Sequence, residues 1–443
     1  MPTALSSTSA TSSLHALADT LTQEAATAVG RPQQLQRRLA RPLVGSLVRT
    51  LTKTLERLLE RLQCGRLDLR LPGGQLLSAA GNQPGPHAQL TLHRWRPVWR
   101  LALRGDIGWA ESYRDGDWST PDLTALLELG ARNEAAWQGA SAPGPLQRLL
   151  FRLAHRRHDN TRRGSRRNIS AHYDLGNNFY RQWLDADLIY SSALYRQPNA
   201  TLEQAQAEKI DRILELLNLP LPRRGEDPRV LEIGCGWGAL ADAISRRGVH
   251  VTGLTLSTEQ LAHARERLAH AGRAHLADLR LQDYRDVQGQ FDRIVSIEMI
   301  EAVGERFWPT YFATLHDRLA PGGVAVVQAI TIDDAAFETY RREADFIQHF
   351  IFPGGMLPSP RVLQQQAEAA GLEIDHSETF GLGYARTLVE WRKRFQAAWP
   401  QIEPLGFDPA FRRLWEYYLC YCEAGFRCGR VDVGLYRFRR RAR

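Results

Sequence analysis

A glycine-rich loop between Leu231 and Gly238 (LEIGCGWG) carries the strongest chemical signal in the sequence. Gly234, Gly236 and Gly238 follow an apolar run, and glycine permits both unusual backbone angles and close approach of a ligand to the main chain. A lone G-x-G occurs in many nucleotide-binding folds, but here the spacing is E-x-G-x-G-x-G and no Walker lysine follows. Glu232 precedes the first glycine and could engage the amino-acid part of a ligand such as S-adenosylmethionine (SAM). The loop therefore predicts a SAM-type pocket.

Polar residues at the ends of the next strands would complete such a pocket. The second strand ends at Thr252 to Thr255 (TGLT), without the acidic residue that holds a ribose in a dinucleotide fold, which disfavours a dehydrogenase. The third ends at Gln282-Asp283-Tyr284, whose polar and aromatic side chains could hold an adenine. Two plainer interpretations stay open: Glu232 as a polar residue facing a helix, and Tyr284 as a core aromatic.

The fourth predicted strand leads into Glu298-Met299-Ile300-Glu301, an apolar stretch with a carboxylate at each end. Burying Glu301 in such a run is expensive unless the side chain has a role, which favours a functional site. Glu298 could act as a base or could simply cap the following helix.

The motifs lie on an alternation of strands and helices that begins near Val230. The predicted strands are Arg229–Ile233, Val249–Thr255, Leu279–Gln282, Phe291–Ile297 and Gly323–Ile330, and the predicted helices are Ala239–Arg247, Thr258–His270 and Pro309–Leu319. Near-continuous apolar strands joined by helices indicate a parallel sheet covered on both faces, so the fold class is α/β. The motifs fall at the carboxyl ends of these strands, where open sheets bind ligands.

The N-terminal third has a different pattern. Residues 1–36 are rich in Ala, Ser and Thr and predict a disordered or weakly helical tail. Arg37 to Leu62 predicts a helix with leucines at steps of three and four and basic residues elsewhere, which either packs its leucines or lies on an anionic lipid surface. Cys64 to Arg104 predicts short strands, Gly108 to Trp118 a turn-rich segment, and Pro121 to Leu129 a short helix.

The charge balance of the chain is basic. A net charge of +8 suggests a polyanionic partner, either nucleic acid or an anionic membrane, or serves solubility alone. Trp95, Trp99 and Trp109 lie among arginines and suit either a core or a headgroup interface. Arg152 to Arg167 (RLAHRRHDNTRRGSRR) suits either a solvated connector or an electrostatic membrane contact.

Several classes are disfavoured by composition. The sequence has no apolar run long enough to span a bilayer and no signal-peptide pattern, so we expect neither feature. Five scattered cysteines indicate a reducing compartment. Cys420, Cys422 and Cys428 cluster without a histidine at ligand spacing, so we predict no metal site.

From about Gly65 onward the sequence resembles the cyclopropane-fatty-acyl-phospholipid synthases and the related mycolic acid methyltransferases. The matching motifs are HYDLGNN (172–178), YSSA (190–193), LEIGCGWG (231–238), GLTLSTEQ (253–260), LQDYRD (281–286), DRIVS (292–296), IFPGGMLP (351–358) and WEYYLCYCEAGF (415–426). Together they are much more specific than the glycine loop alone. The resemblance implies a class I SAM-dependent methyltransferase, Rossmann-like with a seven-stranded, mainly parallel sheet, preceded by a smaller N-terminal α+β domain.

The resemblance also implies an activity, the transfer of a methylene from SAM to a cis double bond in a phospholipid acyl chain, forming a cyclopropane. It assigns SAM contacts, from the amino-acid end through the ribose to the adenine, to Tyr190, Ser191, Gly234, Gly236, Thr255, Ser257, Gln260, Asp283 and Tyr284. An alkene is a weak nucleophile and must be aligned in an apolar slot without water. The cation left on the chain calls for aromatic faces nearby and for a base.

In the family that it resembles, a Cys, a Glu, a His and a Tyr hold a bicarbonate ion as that base. Glu301 and Tyr384 match this set, whereas Ser192 stands where Cys is usual and Gln328 where His is usual. Ser and Gln still donate hydrogen bonds to an anion, so a bicarbonate site could survive, or altered chemistry could give methyl-branched chains. Glu298 replaces a small residue and adds a second carboxylate.

We therefore predict four segments: a tail (1–36), a lipid-binding or dimer-contact domain (37–147), a basic connector (148–167) and the catalytic domain (168–443). Thr331 to Leu382 is predicted to form an insertion over the acyl slot. Its aromatic walls are expected from Phe337, Tyr340, Phe346, Phe350 and Phe352.

The expected partners are SAM, an unsaturated phospholipid, an anionic membrane surface and a second copy of the chain in a homodimer. The expected location is the cytoplasmic face of the membrane. A nucleic-acid methyltransferase is disfavoured because the fourth strand lacks the Asn/Asp-Pro-Pro-Tyr/Phe motif, so no nucleic acid is expected. A non-catalytic lipid-binding protein is disfavoured because Glu301, Tyr384 and the glycine loop are retained.

Overall fold

The computed structural model describes residues 48–137, 161, 164, 175–219, 228–342 and 345–441. The chain divides after Glu60 into two compact units. In the first, the described part is a helix, α1, over residues 48–59, where Lys53 and Arg57 are exposed. This part of the predicted helix is confirmed, whereas the tail, the start of that helix and most of the arginine-dense stretch lie outside the described residues.

The second unit begins with a four-stranded sheet. Its strands are β1 (Cys64–Arg70), β2 (Leu76–Ala80), β3 (Gln83–Leu92) and β4 (Trp118–Ser119), in the order β2-β1-β3-β4. Its helices are α2 (Arg96–Arg114), α3 (Leu123–Arg132) and α4 (Glu134–Trp137). The predicted strands are confirmed from Cys64 to Leu92, whereas Arg96 to Arg104, predicted as part of the same strand region, is helical in α2. The short helix after Pro121 is confirmed, and the Asp122 side chain caps α3 by accepting from the Ala125 N–H.

The turn predicted between Gly108 and Trp118 is wrong, because most of it lies in α2. Glycine and aspartate suggested a loop, but tertiary packing overrides this weak local preference. The chain kinks at Gly105, where φ is 55°, and at Gly108 a Cβ would overlap the Arg100 carbonyl oxygen. The two glycines therefore allow the halves of α2 to fold against each other.

The three tryptophans of this region differ in environment. Trp109 is half-buried and stacks on the fully buried Trp118 with ring centroids 4.5 Å apart, so it packs against the core. Trp95 is part-buried, whereas Trp99 is 43% exposed. Only Trp99 keeps the geometry expected of a headgroup contact.

A seven-stranded sheet forms the rest of the unit, which confirms the predicted class I methyltransferase fold. Its strands are β5 (Arg229–Ile233), β6 (His250–Thr255), β7 (Ala277–Leu281), β8 (Phe291–Ile297), β9 (Leu319–Ile332), β10 (Leu372–Thr379) and β11 (Val431–Arg440), in the order β10-β11-β9-β8-β5-β6-β7. The pairs from β9 to β7 are parallel, and β11 runs antiparallel to both its neighbours.

Helices cover both faces of this sheet. They are α5 (Asn177–Tyr180), α6 (Leu202–Leu217), α7 (Ala239–Ser245), α8 (Thr258–His270), α9 (Trp308–Arg318), α10 (Asp334–Tyr340), α11 (Phe346–Phe350), α12 (Pro360–Ala369), α13 (Gly381–Ala397), α14 (Trp399–Ile402) and α15 (Pro409–Arg427). Val230 packs with Leu217 and Ile244 in one buried cluster, while Leu231, next in the chain, packs with Trp308 in another. Successive strand residues point to opposite faces, so two cores fix the strand ends that carry the site.

The predicted insertion from Thr331 to Leu382 differs from the structure at its end. It contains α10, α11 and α12, but then returns to the sheet as the edge strand β10. Alternate residues of β10 are polar and partly exposed, so this strand lacks the continuous apolar pattern by which the buried parallel strands were predicted. Of the predicted aromatic walls, Phe337 and Phe346 are buried, and Tyr340, Phe350 and Phe352 are half-buried.

Across the described residues, no helix combines the length and the apolar character that crossing a bilayer requires.

Candidate active site

The glycine loop forms the turn between β5 and α7. Gly234, Gly236 and Gly238 have φ of 85°, 51° and 85°, in the left-handed region that glycine tolerates best. At Gly238 a Cβ would lie 2.9 Å from the Ala264 Cβ, so this glycine is needed for packing on α8. A Cβ at Gly236 would meet open space, and the loop therefore leaves one face free for a ligand.

Glu232 lies at the end of β5 beneath this loop. It is 3% exposed, and its Oε2 has no hydrogen-bond partner among the described residues. Burial raises the pKa of this carboxyl well above its usual range. A buried acceptor without a partner costs free energy, which a donor on a bound ligand would recover. The ammonium group of SAM has the required donors, so the residues present fit the cofactor.

The predicted ribose contacts form one network at the end of β6. The Thr255 hydroxyl donates to the Gln260 Oε1 at 2.8 Å and accepts from the Ser257 N–H at 3.2 Å. The Ser257 hydroxyl caps α8 by accepting from the Gln260 N–H at 3.3 Å. All three side chains are buried, and the network fixes the turn between β6 and α8.

The predicted adenine contacts follow β7. The Asp283 carboxylate forms an ion pair with Arg285 at 2.6 Å, and both side chains are 8% exposed. Tyr284 packs edge-on against Tyr311 within a core cluster, and its hydroxyl has no partner among the described residues. The structure thus places Tyr284 in the core while leaving its hydroxyl available.

Tyr190 and Ser191 lie in the loop before α6. The hydroxyl groups of Tyr190 and Tyr418 are 2.9 Å apart and share a hydrogen bond. The Ser191 hydroxyl accepts from Lys209 Nζ at 2.6 Å, and Gln206 donates to the Ser191 carbonyl at 3.0 Å. Sequence reasoning missed Lys209, which is 2% exposed, because it sits in an ordinary amphipathic helix.

Glu298 is the centre of the predicted base site. Its Oε1 accepts from the Ser192 backbone N–H at 2.8 Å and from Gln328 Nε2 at 2.6 Å. Its Oε2 accepts from the Tyr384 hydroxyl at 2.7 Å. We call these three donors the carboxylate cradle. The structure thus brings together four of the five predicted catalytic residues around one carboxylate.

The backbone of Glu298 has an unusual conformation. Its φ is 46°, a left-handed angle that costs an L-residue about 1 kcal/mol or more. The conformation is held because the Glu298 N–H donates to the Gln328 carbonyl at 2.9 Å. An outlier fixed by surrounding structure suggests a functional position as a hypothesis. Glu298 does not cap the short helix that follows, because the N-cap residue of that helix is Met299 and no side chain caps it.

Ser192 contributes through its main chain. The Ser192 N–H donates to Glu298, while the hydroxyl donates to the Ala193 carbonyl at 3.1 Å. The departure from the usual cysteine therefore leaves the cradle intact, because any residue except proline supplies the same N–H.

Glu301, the fifth predicted catalytic residue, lies one turn further along. Its Oε1 accepts from the Ile330 N–H at 2.5 Å, and its Oε2 has no partner among the described residues. Burial, followed by the charge of Glu298, raises the pKa of Glu301 to about 8. Glu301 is therefore mainly neutral near pH 7.

The two carboxyls have different environments. Burial raises the pKa of Glu298 as well, but the Ser192 N–H, the positive charge of Lys209, and the Tyr384 and Gln328 donors all oppose the rise. Lys209 remains mostly cationic at neutral pH, because burial lowers its pKa only to about 8. Neighbouring acids with unequal support titrate apart, and the donors around Glu298 favour its charged form more than the surroundings of Glu301 do.

Aromatic rings surround the cradle. Tyr384 stacks on Phe426 with centroids 4.5 Å apart and meets Trp391 edge-on at 6.1 Å. Tyr418 contacts Phe352 at 6.3 Å, which brings the segment after β9 into the same wall. Ring faces at such a site can stabilise a cation on a hydrocarbon substrate.

The sheet topology, the glycine loop and the unpaired Glu232 define a class I SAM-dependent methyltransferase. The chain belongs to the mycolic acid cyclopropane synthetase family, whose model matches residues 160–435. The enzyme is thus a methyltransferase of the cyclopropane synthase type.

Named relatives agree with this assignment. The chain is 41% identical over 344 residues to the tuberculostearic acid methyltransferase UfaA1 of Mycobacterium tuberculosis, covering 75% of this chain and 79% of that one. It is 35% identical over 368 residues to the cyclopropane-fatty-acyl-phospholipid synthase of Escherichia coli K12, and the match covers 81% of this chain and 90% of that one.

A solved structure shares the fold as well. The mycolic acid cyclopropane synthase CmaA1, crystallised with SAH and CTAB, matches with a TM-score of 0.57 and 32% identity. The match covers 62% of this chain and 97% of that one. Because that structure contains SAH, it supports SAM as the methyl donor.

Proposed function

We propose that the enzyme transfers a methylene from SAM to a cis double bond in an unsaturated phospholipid acyl chain, forming a cyclopropane. The observation that carries this proposal is the buried carboxylate pair, Glu298 and Glu301, enclosed by aromatic rings beside the SAM loop. A base in an apolar, aromatic environment suits a reaction that generates a cation on a hydrocarbon. The relatives named for phospholipid and mycolic acid cyclopropanation support the same substrate class.

The SAM contacts predicted above stay part of this proposal. SAM bound here supplies an electrophilic methyl group. The chain's own residues orient SAM and exclude water. Glu232 binds the ammonium end of SAM, and the Thr255 network and Asp283 border its ribose and adenine. The rings around Tyr384 hold the acyl chain and its positive charge.

The reaction balances with these groups alone. The π electrons of the double bond form the new bond to the methyl carbon, and the electrons of the broken C–S bond stay on sulfur. The positive charge is left on the adjacent chain carbon. A base then removes a proton from the new methyl group, and the C–H electrons form the third bond of the ring.

A second product is favoured by the name of the 41% identical relative, a methyltransferase rather than a cyclopropane synthase. If the base removes a proton from a neighbouring chain carbon, the product is a methyl-branched chain with a double bond. A saturated branch would require an external two-electron reductant acting afterwards.

The assay combines purified protein, SAM and vesicles of cis-unsaturated phospholipid, followed by mass spectrometry of the acyl chains. We expect the gain of one methylene by the unsaturated chains, and vesicles of saturated phospholipid provide the control. Both products have the same mass, and ring proton signals in NMR distinguish the cyclopropane from the branched alkene. Absence of any mass gain would exclude the acyl-lipid substrate.

Membrane docking through the N-terminal sheet region is a further part of the proposal. Trp99 and Leu103, on the first half of α2, are 43% and 61% exposed, and Arg94, which precedes α2 and pairs with Asp117 at 3.6 Å, is 64% exposed. Tryptophan favours the headgroup level and arginine attracts anionic lipid. We propose that this patch reaches the cytoplasmic leaflet, and that the protein is a homodimer.

Co-sedimentation with anionic vesicles tests the docking. The double change Trp99→Ala and Leu103→Ala should weaken binding, and binding of the unchanged protein should fall as salt rises. Leu405→Ala, at another exposed leucine, is the matched control. Equal binding by the double variant and the control would remove this patch from the proposal, and analytical ultracentrifugation measures the oligomeric state.

A further inference from the structure

The carboxylate cradle already contains an anion that belongs to the chain. The Ser192 N–H, Gln328 Nε2 and Tyr384 hydroxyl all donate to the Glu298 carboxylate, at 2.6 to 2.8 Å. The resemblance assigned the residues at 192, 328 and 384 to a bicarbonate ion. In this chain their donors are directed instead at an oxygen pair on a side chain.

A bicarbonate ion does not fit beside this carboxylate. A carboxylate and a bicarbonate present the same pair of anionic oxygens, so the three donors can serve one or the other. The remaining polar atom of Gln328, Oε1, is an acceptor and has no partner among the described residues, and an acceptor repels an anion. Glu301 would add a further acidic neighbour.

The main chain of Gln328 also fixes the position of Glu298. Its N–H donates to the Gln328 carbonyl at 2.9 Å, which holds the left-handed backbone and aims the side chain into the cradle. Gln328 therefore orients both parts of Glu298, since its side chain donates to the carboxylate and its carbonyl accepts from the backbone N–H.

We propose that the Glu298 carboxylate is the enzyme's own proton acceptor, standing in the position and role of a dissolved bicarbonate. The proposal rests on the proposed function and adds the identity of the base. The Glu298 oxygen takes a proton from the methylated chain, the C–H electron pair closes the ring or forms the alkene, and the carboxylic acid then returns its proton to solvent. The enzyme accordingly requires no bicarbonate.

The charge distribution supports this assignment. Glu298 has three donors and the cationic Lys209 nearby, whereas Glu301 is opposed in its burial only by backbone N–H groups, those of Ile330 and of Glu301 itself. A base must be ionised before the reaction, and this condition is met better at Glu298. Lys209 acts through Ser191 and through its charge, so it is a positioning residue.

Two variants at one position test the proposal. Glu298→Gln fills the cradle with a group that cannot accept the proton, and Glu298→Gly leaves a space of carboxylate size at a backbone angle that glycine adopts freely. We expect both to lose at least about a hundredfold in rate, the range of a lost general base. Millimolar bicarbonate, formate or acetate should restore Glu298→Gly and leave Glu298→Gln inactive.

Two outcomes would overturn the proposal. One is a wild-type rate that collapses in buffers stripped of dissolved CO2 and recovers with bicarbonate. The other is a Glu298→Gln variant that keeps the wild-type rate. Thermal melting of each variant in the absence of anions verifies that it folds, and Glu298→Asp, which keeps a shorter base, replaces Glu298→Gly if the latter does not fold.

A binding measurement makes the test independent of the substrate. Carbon-13 NMR of labelled bicarbonate should show line broadening with Glu298→Gly and none with the wild type. Specific binding by the wild type would contradict the proposal even if no acyl product were found. Failure of the lipid assay alone would instead refute the proposed function.

Discussion

Replacing Glu301 by glutamine should change how the free energy of unfolding depends on pH. Burial and the charge of Glu298 raise the pKa of Glu301 from 4.5 to about 8. Glutamine retains an oxygen that can accept from the Ile330 N–H, and it cannot ionise. The comparison therefore isolates the titration of one carboxyl.

The sign follows from proton binding. Below the pKa that the Glu301 carboxyl has in the unfolded chain, both the native and the unfolded states hold the proton, and Glu301 does not contribute to the pH dependence of the free energy of unfolding. As pH rises from there, the unfolded chain releases the proton while the native state keeps it, so wild-type stability falls until the native carboxyl ionises near pH 8. The interval from 4.5 to about 8, at about 1.4 kcal/mol per pH unit, gives roughly 5 kcal/mol at most.

Urea unfolding followed by tryptophan fluorescence, from about pH 5 to about pH 9, measures this difference. We expect the free energy of unfolding of Glu301→Gln to rise relative to that of the wild type by a few kcal/mol as pH approaches 8. Contributions from the other titrating groups cancel between the two proteins. A difference that stays flat across the range would refute the assignment of the proton to Glu301.

Other predictions concern the cradle around Glu298. Tyr384→Phe removes one charge-assisted donor, so the acid limb of the rate profile should move to higher pH and the rate near pH 7 fall by roughly tenfold to a hundredfold, as measured by initial rates. Ser192→Ala should keep most of the activity because the N–H donor remains, and a loss as large as that of Tyr384→Phe would contradict the main-chain role. The positive charge of Lys209 lowers the pKa of Glu298, so Lys209→Met should raise that pKa and move the acid limb of the rate profile to higher pH. An unchanged profile would exclude an electrostatic role for Lys209.

Much of the fold could be predicted because its signals are local. The strands β5 and β8 are rich in Val, Leu and Ile, and the glycines at 234, 236 and 238 occupy left-handed positions that favour their residue type. The edge strand β10 was missed because half of its residues face solvent. The helix through Gly108 was missed because it packs against residues distant in sequence, where Tyr113 contacts the Tyr417 ring and its carbonyl accepts from Arg413.

The candidate site was only partly visible in the sequence. Residue types indicated Glu298 and Glu301, and the family resemblance indicated Tyr384, but no pattern encodes the positive φ that directs Glu298 into the cradle. Lys209 resembled a surface lysine, since a buried cation requires partners from distant segments. The main-chain role of Ser192 was likewise hidden, because a residue type says nothing about its N–H.

The tether that holds Glu298 has a consequence for product selection. A carboxylate fixed to the backbone acts at an effective concentration far above that of any dissolved ion, and it cannot slide along the substrate. With Glu298 as the proposed base and the acyl chain proposed to lie against the rings of Tyr384 and Phe426, the depth of the chain in that slot would decide which hydrogen is removed. Substitutions that change the depth of that slot would exchange ring closure for alkene formation while leaving every proton-transfer group in place.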